Sequence, residues 1–282
     1  MAKRVAFAAV AMPAVLGLAY LGGWYLAGLL AVFGALGARE VFGLARAQGV
    51  APLEPLGMLG AALAPLVVAW PRLESTPPAR YGPVIWLLAV IGTAVWRRGP
   101  SARPLTAVAV TVFGALYAGW LLSFALLLRH PAPVGVVNDA SVGLPLLGYP
   151  LVLTWAGDTA AMFGGKAFGG PRMAPVLSPN KTWAGGISGL FATVAVSVIY
   201  AATILQRGGI ALSVVEALIA GVVISAAGQL GDVAESLFKR EVGAKDSSTL
   251  LPGHGGVLDR LDSLYFALPV TALLFLAFGV VG

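Results

Sequence analysis

Residues 232–262 hold 10 of the chain's 30 charged side chains (18 basic, 12 acidic): Asp232, Glu235, Lys239, Arg240, Glu241, Lys245, Asp246, Asp259, Arg260 and Asp262. His254 lies among them, in the run Pro252-Gly253-His254-Gly255-Gly256. A connecting loop needs a few solubilising charges, not this density. The segment sums to −2, four basic against six acidic with His neutral. Carboxylates repel phosphates, so the mixture suits an anionic substrate only where a cation bridges the two. Mg²⁺ does so, held by one or two carboxylates and by substrate phosphates. Phosphoryl and nucleotidyl transfer use that arrangement: the ion neutralises developing charge while basic groups and backbone amides hold the leaving phosphates. Glycines at 253, 255 and 256 allow close backbone approach and N–H groups facing an anion. Taken alone, the same glycines describe a flexible loop. His254 is a poor zinc ligand, because zinc sets need several His or Cys and the chain has two His and no Cys.

Two helices must position these groups. A helix continuing past Gly231 puts Asp232, Glu235, Ser236 and Lys239 on one face. A helix starting near Asp259 would point Asp259 and Asp262 one way, since they are three apart. Near a bilayer an unpaired carboxylate is costly and is a functional candidate by default. Taken one at a time, such residues also read as helix-end charges, with acids favoured at an N-terminus. A second segment reads Ser178-Pro179-Asn180-Lys181-Thr182-Trp183. Ser178 at an N-cap and Pro179 at the first helical position predict a helix start there. Its free N–H groups, with Lys181 and Thr182, suit a phosphate; a capped helix with an interfacial Trp suits the segment equally. Asp158 falls inside or at the end of an apolar span, as a site residue or a structural hydrogen-bonder. Four of the five lysines (166, 181, 239 and 245) fall in the same polar loops, where compact ammonium groups serve as ligands.

The remainder of the chain explains what carries these residues. It has 282 residues, 59% hydrophobic and 11% charged. A soluble domain would carry about a quarter charged residues. That deficit excludes a water-soluble fold, a disordered chain and a nucleic-acid-binding tail. Apolar stretches near the length of a bilayer crossing recur throughout, which predicts an all-α polytopic integral membrane protein. A β-barrel would alternate apolar and polar residues, and Leu121–Leu128 does not. Without cysteine, disulfides and thiolate chemistry are excluded.

We read nine spans, near 5–21, 23–44, 54–70, 82–97, 104–128, 143–164, 183–205, 209–230 and 262–281. The first is read as uncleaved, because Ala9-Val10-Ala11 sits too early for a signal-peptide cleavage site. With the N-terminus cytoplasmic, 14 of the 18 Lys and Arg fall inside and only Arg72, Arg80, Arg129 and Arg207 outside, as the positive-inside rule requires. The C-terminus then lies outside. The chain divides near Pro131–Val142, a loop with Asn138 and Asp139. Residues 1–130 read as a scaffold of about five helices with no visible chemistry. Residues 143–282 read as a catalytic half of about four helices, with cytoplasmic loops 165–182 and 231–262.

Two runs carry a family resemblance. Ser236-Leu237-Phe238-Lys239-Arg240, Lys245-Asp246 and Pro252-Gly253-His254-Gly255-Gly256-Val257-Leu258-Asp259-Arg260-Leu261-Asp262-Ser263 closely resemble the signature of the phosphatidate cytidylyltransferases, or CDP-diacylglycerol synthases. A looser match runs from Asp158 through Gly164, Gly165 and Lys166 to Ser178–Trp183. The resemblance implies a multi-spanning enzyme, with its site near the cytoplasmic surface, that joins CTP and phosphatidic acid into CDP-diacylglycerol and releases pyrophosphate. It implies Mg²⁺ with a K⁺ ion beside it. Asp232 and Asp259 would lead as metal ligands, supported by Asp262 and Asp246. Asn180 and Ala184 depart from the usual Ser-Pro-Lys-Lys-Thr-Trp-Glu-Gly run, and Met162 stands where an aromatic residue is usual.

The mechanism the resemblance implies has a phosphatidate oxygen attacking the α-phosphorus of CTP. Asp232, Asp259, Lys239 and Asp246 carry the chemistry. Ser178, Lys181, Thr182, Arg240, Lys245, His254, Gly255, Gly256, Arg260 and Asp158 bind substrate. The nucleophile is already anionic, so no strong general base is needed. A CTP-dependent lipid kinase is the nearer alternative. An ion-coupled transporter using Asp158, Glu216 and Asp232 is the remoter one, weakened by the lack of an internal repeat. The GC-rich residue usage points to a bacterial inner membrane. No feature calls for a nucleic acid, and a homodimer is allowed.

Overall fold

A computed structural model describes residues 2–69, 77–131, 140–251, 253 and 255–281. Pro252, His254, Arg72, Asn138 and Asp139 lie outside the described residues. The described residues form eleven α-helices: α1 Ala2–Leu21, α2 Gly23–Ala47, α3 Glu54–Val68, α4 Pro77–Arg97, α5 Pro104–Ala115, α6 Leu121–Arg129, α7 Ala140–Phe168, α8 Trp183–Tyr200, α9 Val214–Glu241, α10 Leu258–Leu261 and α11 Leu264–Ala277. Two short strands, β1 Arg172–Ala174 and β2 Ser178–Thr182, pair antiparallel. Among the described residues, six helical stretches are long and apolar enough to cross a membrane: Gly23–Ala47, Pro100–Arg129, Ala140–Phe168, Trp183–Leu205, Val214–Glu241 and Leu258–Ala277. Three shorter apolar helices, Ala9–Leu21, Glu54–Val68 and Tyr81–Arg97, fall where further spans were expected. This is an all-α membrane protein. The many large apolar side chains on its surface, such as Leu105 and Val95, have no place in water but suit lipid.

The chain divides into two compact units, Met1–Leu126 with Glu241–Arg260, and Leu127–Arg240 with Leu261–Gly282. The first packs α2 and α3 with the run from α5 into α6. A π-turn at Leu116–Trp120 links α5 to α6 without ending the helix. Small residues permit the approach: a Cβ on Gly34 would sit 2.9 Å from the Ala61 carbonyl oxygen. Phe42, fully buried, packs its ring against Gly57 and Gly114. Thr111 Oγ1 receives the Leu53 N–H at 2.8 Å, satisfying a donor at the start of α3.

In the second unit, α7 and α8 approach through residues four apart. Gly157, Ala161 and Gly165 on α7 meet Gly185, Gly189 and Thr193 on α8. A Cβ on Gly189 would lie 3.0 Å from the Gly157 carbonyl oxygen. Spacings of this kind let membrane helices pack backbone to backbone. Tyr149 and Ser197 share a buried hydrogen bond of 2.6 Å, and the Tyr200 hydroxyl donates to Pro145 O at 3.0 Å. Helix α9 has 28 residues, about 42 Å at 1.5 Å per residue, against about 30 Å of bilayer hydrocarbon. One end must therefore leave the apolar layer, and the polar end is the one bearing Asp232 to Glu241.

Two local expectations are corrected. Ser178 does not cap a helix: residues 178–182 are strand β2, and Thr182 is the N-cap of α8, its Oγ1 accepting the Gly185 N–H at 3.1 Å. Both residues are capping types. Pairing with β1, Arg172 opposite Thr182 and Ala174 opposite Ser178, extends the chain between them and moves the helix start to Trp183. The single helix expected to hold both Asp259 and Asp262 is also interrupted. Helix α10 ends at Leu261, and a turn at Asp262–Ser263 precedes α11.

Candidate active site

The second unit holds an open cavity of about 680 Å³. Asp158 reaches it from α7, Lys181 and Thr182 from the end of β2, and Asp232 from α9. Lys166, Arg172, Asn180 and Gln229 complete its polar lining. Three basic and two acidic side chains thus face one space. Glycines 165, 169, 170, 185 and 186 line the rest, leaving room for backbone contact with a ligand.

Lys181 Nζ lies 2.5 Å from Asp232 Oδ2, both partly exposed to the cavity. Asp158, Asp232 and Asp262 are close enough to repel one another, with Lys181 opposing the repulsion at Asp158. The peptide of Asp262 packs on α9: a Cβ on Gly231 would lie 2.5 Å from its carbonyl oxygen. One turn further along, Glu235 is buried and pairs with Lys239 at 3.0 Å. An acid four residues before a base on a helix is the favourable order. Asp232, Glu235 and Lys239 thus follow one face of α9, as their spacing predicts. Arg240 Nε donates to Leu177 O at 3.2 Å, tying the end of α9 to the β1–β2 turn. Gln229 Nε2 donates to Gly186 O at 3.3 Å and to Ser225 Oγ at 3.1 Å, bracing α8 on α9.

In the first unit the glycine-rich loop closes around carboxylates of the chain itself. Gly255 (φ +80°) pairs with Leu251, and Leu251 N donates to Gly255 O at 2.9 Å. Asp259 Oδ2 accepts the Gly256 N–H at 2.7 Å, the Ser247 N–H at 2.9 Å and lies 2.8 Å from Ser247 Oγ. Glu40 of α2, 5% exposed, accepts the Val257 N–H at 3.0 Å and the Leu258 N–H at 2.9 Å. The anions facing these amides are Glu40 and Asp259. The glycines have a steric reason too: a Cβ on Gly255 would meet Asp259 Oδ2 at 2.6 Å, and one on Gly256 would collide with Ser247 Oγ and Glu40 Oε2. Lys245, Asp246 and Arg260 are exposed around this loop. Ser178 lies in β2 and does not line the cavity. His254 is outside the described residues.

Two groups escaped the sequence reading. Arg172 lines the cavity and donates to Pro179 O. Its role depends on strand pairing, for which three residues give little signal. Glu40 lies in a half read as bare scaffold. Its signal was present: it is an acid inside an apolar span, the costly placement that marks a residue with work to do.

Among the described residues, no three Asp, Glu or His side chains converge into a metal cage. Asp158, Asp232 and Asp262 offer hard carboxylate oxygens of the type Mg²⁺ takes, one or two at a time. The Lys181 ammonium already places a positive charge against Asp232. The donor set therefore fits a hard divalent ion.

Fold and site together define an α-helical membrane protein with several apolar helices and a mixed-charge cavity. The cytidylyltransferase family model matches residues 2–278, and the chain belongs to the cytidylyltransferase family. It is 43% identical to the phosphatidate cytidylyltransferase of Brucella suis over 168 residues, 60% of this chain and 56% of that protein. It is 45% identical to the phosphatidate cytidylyltransferase of Haemophilus influenzae over 132 residues, 47% of this chain and 46% of that one. With the phosphatidate cytidylyltransferase of Synechocystis it shares 31% identity over 289 aligned positions, 95% and 94% of the two chains. The chain spans about half the length of the first two of these relatives and nearly all of the third.

Proposed function

We propose that this protein transfers CMP from CTP to phosphatidic acid, giving CDP-diacylglycerol and pyrophosphate in phospholipid synthesis. The observation that carries the reading is the cavity with Lys166, Arg172 and Lys181 facing Asp158 and Asp232, in a chain of the cytidylyltransferase family. A cavity for phosphates alone would omit the carboxylates.

A phosphatidate oxygen forms the new bond to the α-phosphorus of CTP, and the bond from that phosphorus to the α–β bridging oxygen breaks. The electron pair leaves with pyrophosphate. Asp232 and Asp259 would hold Mg²⁺, with Asp262 and Asp246 in support, and the bound ion would neutralise charge on the reacting phosphates. Lys181 leaves Asp232 for a phosphate oxygen as substrate enters. Lys239, aligned by Glu235, and Lys245 hold pyrophosphate or the lipid headgroup. Asp259 keeps the glycine-rich loop folded through Oδ2. The nine-span arrangement has the N-terminus and the site on the cytoplasmic side of a bacterial inner membrane and the C-terminus outside, supported by the 14 to 4 division of Lys and Arg. The acyl chains leave sideways into lipid, which accounts for a phosphate-transfer site on a membrane helix bundle.

CTP labelled at the α- or the γ-phosphate tests this. Label from the α-phosphate alone should enter lipid. Entry of the γ-label would mean a lipid kinase, and entry of neither would end both readings. The transporter reading loses a member, because Glu216 forms a capping box with Ser213 at the start of α9 (Ser213 N–H to Oε2, 2.8 Å; Glu216 N–H to Ser213 Oγ, 3.2 Å).

A further inference from the structure

Glu40 is an acid in the last third of α2, buried and met by three donors of its own and a fourth, the Ser247 hydroxyl, within reach of Asp259 as well. Its Oε1 accepts from Ser248 Oγ at 2.6 Å and from the Val257 N–H at 3.0 Å. Its Oε2 accepts from the Leu258 N–H at 2.9 Å and lies 3.0 Å from Ser247 Oγ. The partners come from both ends of the segment 247–258, more than 200 residues away in sequence. Three donors of its own and one shared, drawn from both ends of one loop, make it the loop's anchor.

The anchor reaches Asp259 through Ser247. The Ser247 hydroxyl lies 3.0 Å from Glu40 Oε2 and 2.8 Å from Asp259 Oδ2. It has one hydrogen, so it donates to one carboxylate at a time. Gly256 is fitted between the same groups, donating its N–H to Asp259 while leaving no room for a Cβ beside Glu40. The Asp259 carboxylate is thus oriented by a loop that Glu40 holds.

We propose that Glu40 is a positioning residue for nucleotidyl transfer: it sets the geometry of loop 247–258 and, through Ser247, the orientation of the Asp259 carboxylate toward a divalent ion. The catalytic part rests on the proposed nucleotidyltransferase activity; the clamp itself does not.

The test uses the full chain in lipid nanodiscs, as wild type, Glu40→Gln and Ser247→Ala. Hydrogen exchange is followed in residues 247–258, and kcat, KM for phosphatidate and the Mg²⁺ concentration for half-maximal rate are measured. Glu40→Gln keeps shape but turns one acceptor into a donor facing donors. It should speed exchange in 247–258 roughly tenfold or more, leave the other helices unchanged, and raise the half-saturating Mg²⁺ roughly tenfold, as loss of one charge-assisted hydrogen bond implies. KM for phosphatidate should hold. Ser247→Ala should raise the Mg²⁺ requirement with less loosening of Val257 and Leu258. Unchanged exchange in the loop overturns the clamp. Faster exchange everywhere makes Glu40 a general fold-holder and overturns positioning. A loosened loop with unaltered Mg²⁺ dependence overturns the link to Asp259. A wild type that makes no CDP-diacylglycerol overturns the catalytic part and the proposed activity together, while exchange still judges the clamp.

Discussion

Lys181 Nζ and Asp232 Oδ2 stand 2.5 Å apart across the cavity of the second unit, joining the end of β2 to the polar end of α9. The pair is partly exposed, so its contribution to stability is small, about 0–1 kcal/mol. Its proposed role is to keep a cation beside an acid until substrate arrives. Lys181→Met should therefore leave the melting temperature within about 2 °C while raising KM for CTP tenfold or more, on the order of a lost charge-assisted phosphate contact. Steady-state kinetics with thermal unfolding of the same preparation checks both. An unchanged KM would remove Lys181 from the phosphate site.

Asp232 and Asp259 carry the proposed metal chemistry. Asp232→Asn and Asp259→Asn should each lower CDP-diacylglycerol formation by about a thousandfold or more, as loss of a group stabilising transition-state charge does. Both should stay folded: an asparagine oxygen can still accept the Ser247 and Gly256 N–H groups in place of Asp259 Oδ2, and the Asp232 pair with Lys181 is partly exposed and contributes little. Wild-type turnover by either purified variant would defeat its assignment.

Removal of divalent ions tests the open site differently. With no preformed cage among the described residues, the ion should not hold the fold. EDTA should abolish turnover, Mg²⁺ should restore it, and the melting temperature in EDTA should shift by less than about 2 °C without nucleotide. A large loss of stability in EDTA would mean a structural metal.

Gly256 is placed where a methyl group meets Glu40 Oε2 and Ser247 Oγ. Gly256→Ala should cost about 1–3 kcal/mol locally, the range for overpacking a filled site. Limited proteolysis should show the segment 247–258 opening first, with activity falling in step. Gly99→Ala is the control: it has no positive φ and open space around it, so neither strain nor collision arises. Equal losses in both variants would make the collision irrelevant.

Glu235 and Lys239 form the buried pair of α9. Glu235→Gln leaves the ammonium with a neutral neighbour and should destabilise by about 3 kcal/mol, as breaking one side of a buried pair does. Restoring the charge with Glu235→Asp, one methylene shorter, should recover stability in part but lower kcat, because Lys239 is held differently. A full recovery of kcat would show that only the charge matters.

Much of this was legible in the residues alone. Apolar runs near bilayer length gave the helices, because in lipid every backbone group must bond within its own segment. The charge cluster at 232–262 marked the polar end of α9 and the following loop, because such density exceeds what solubilising a connecting loop needs. Spacing put Asp232, Glu235 and Lys239 on one face, since helix geometry is local. The start of α8 was not legible: Ser178 and Thr182 cap equally well by type, and only pairing with β1 chose between them. The break between α10 and α11 was not legible either. Asp259 turns back to Ser247 and Gly256, contacts that begin twelve residues away. Glu40 depended most on tertiary structure. Its type marked it as costly, but its partners lie more than 200 positions on. Local patterns fix what each segment can be; which buried donors meet a buried acid is settled only when distant segments pack and each must satisfy the other.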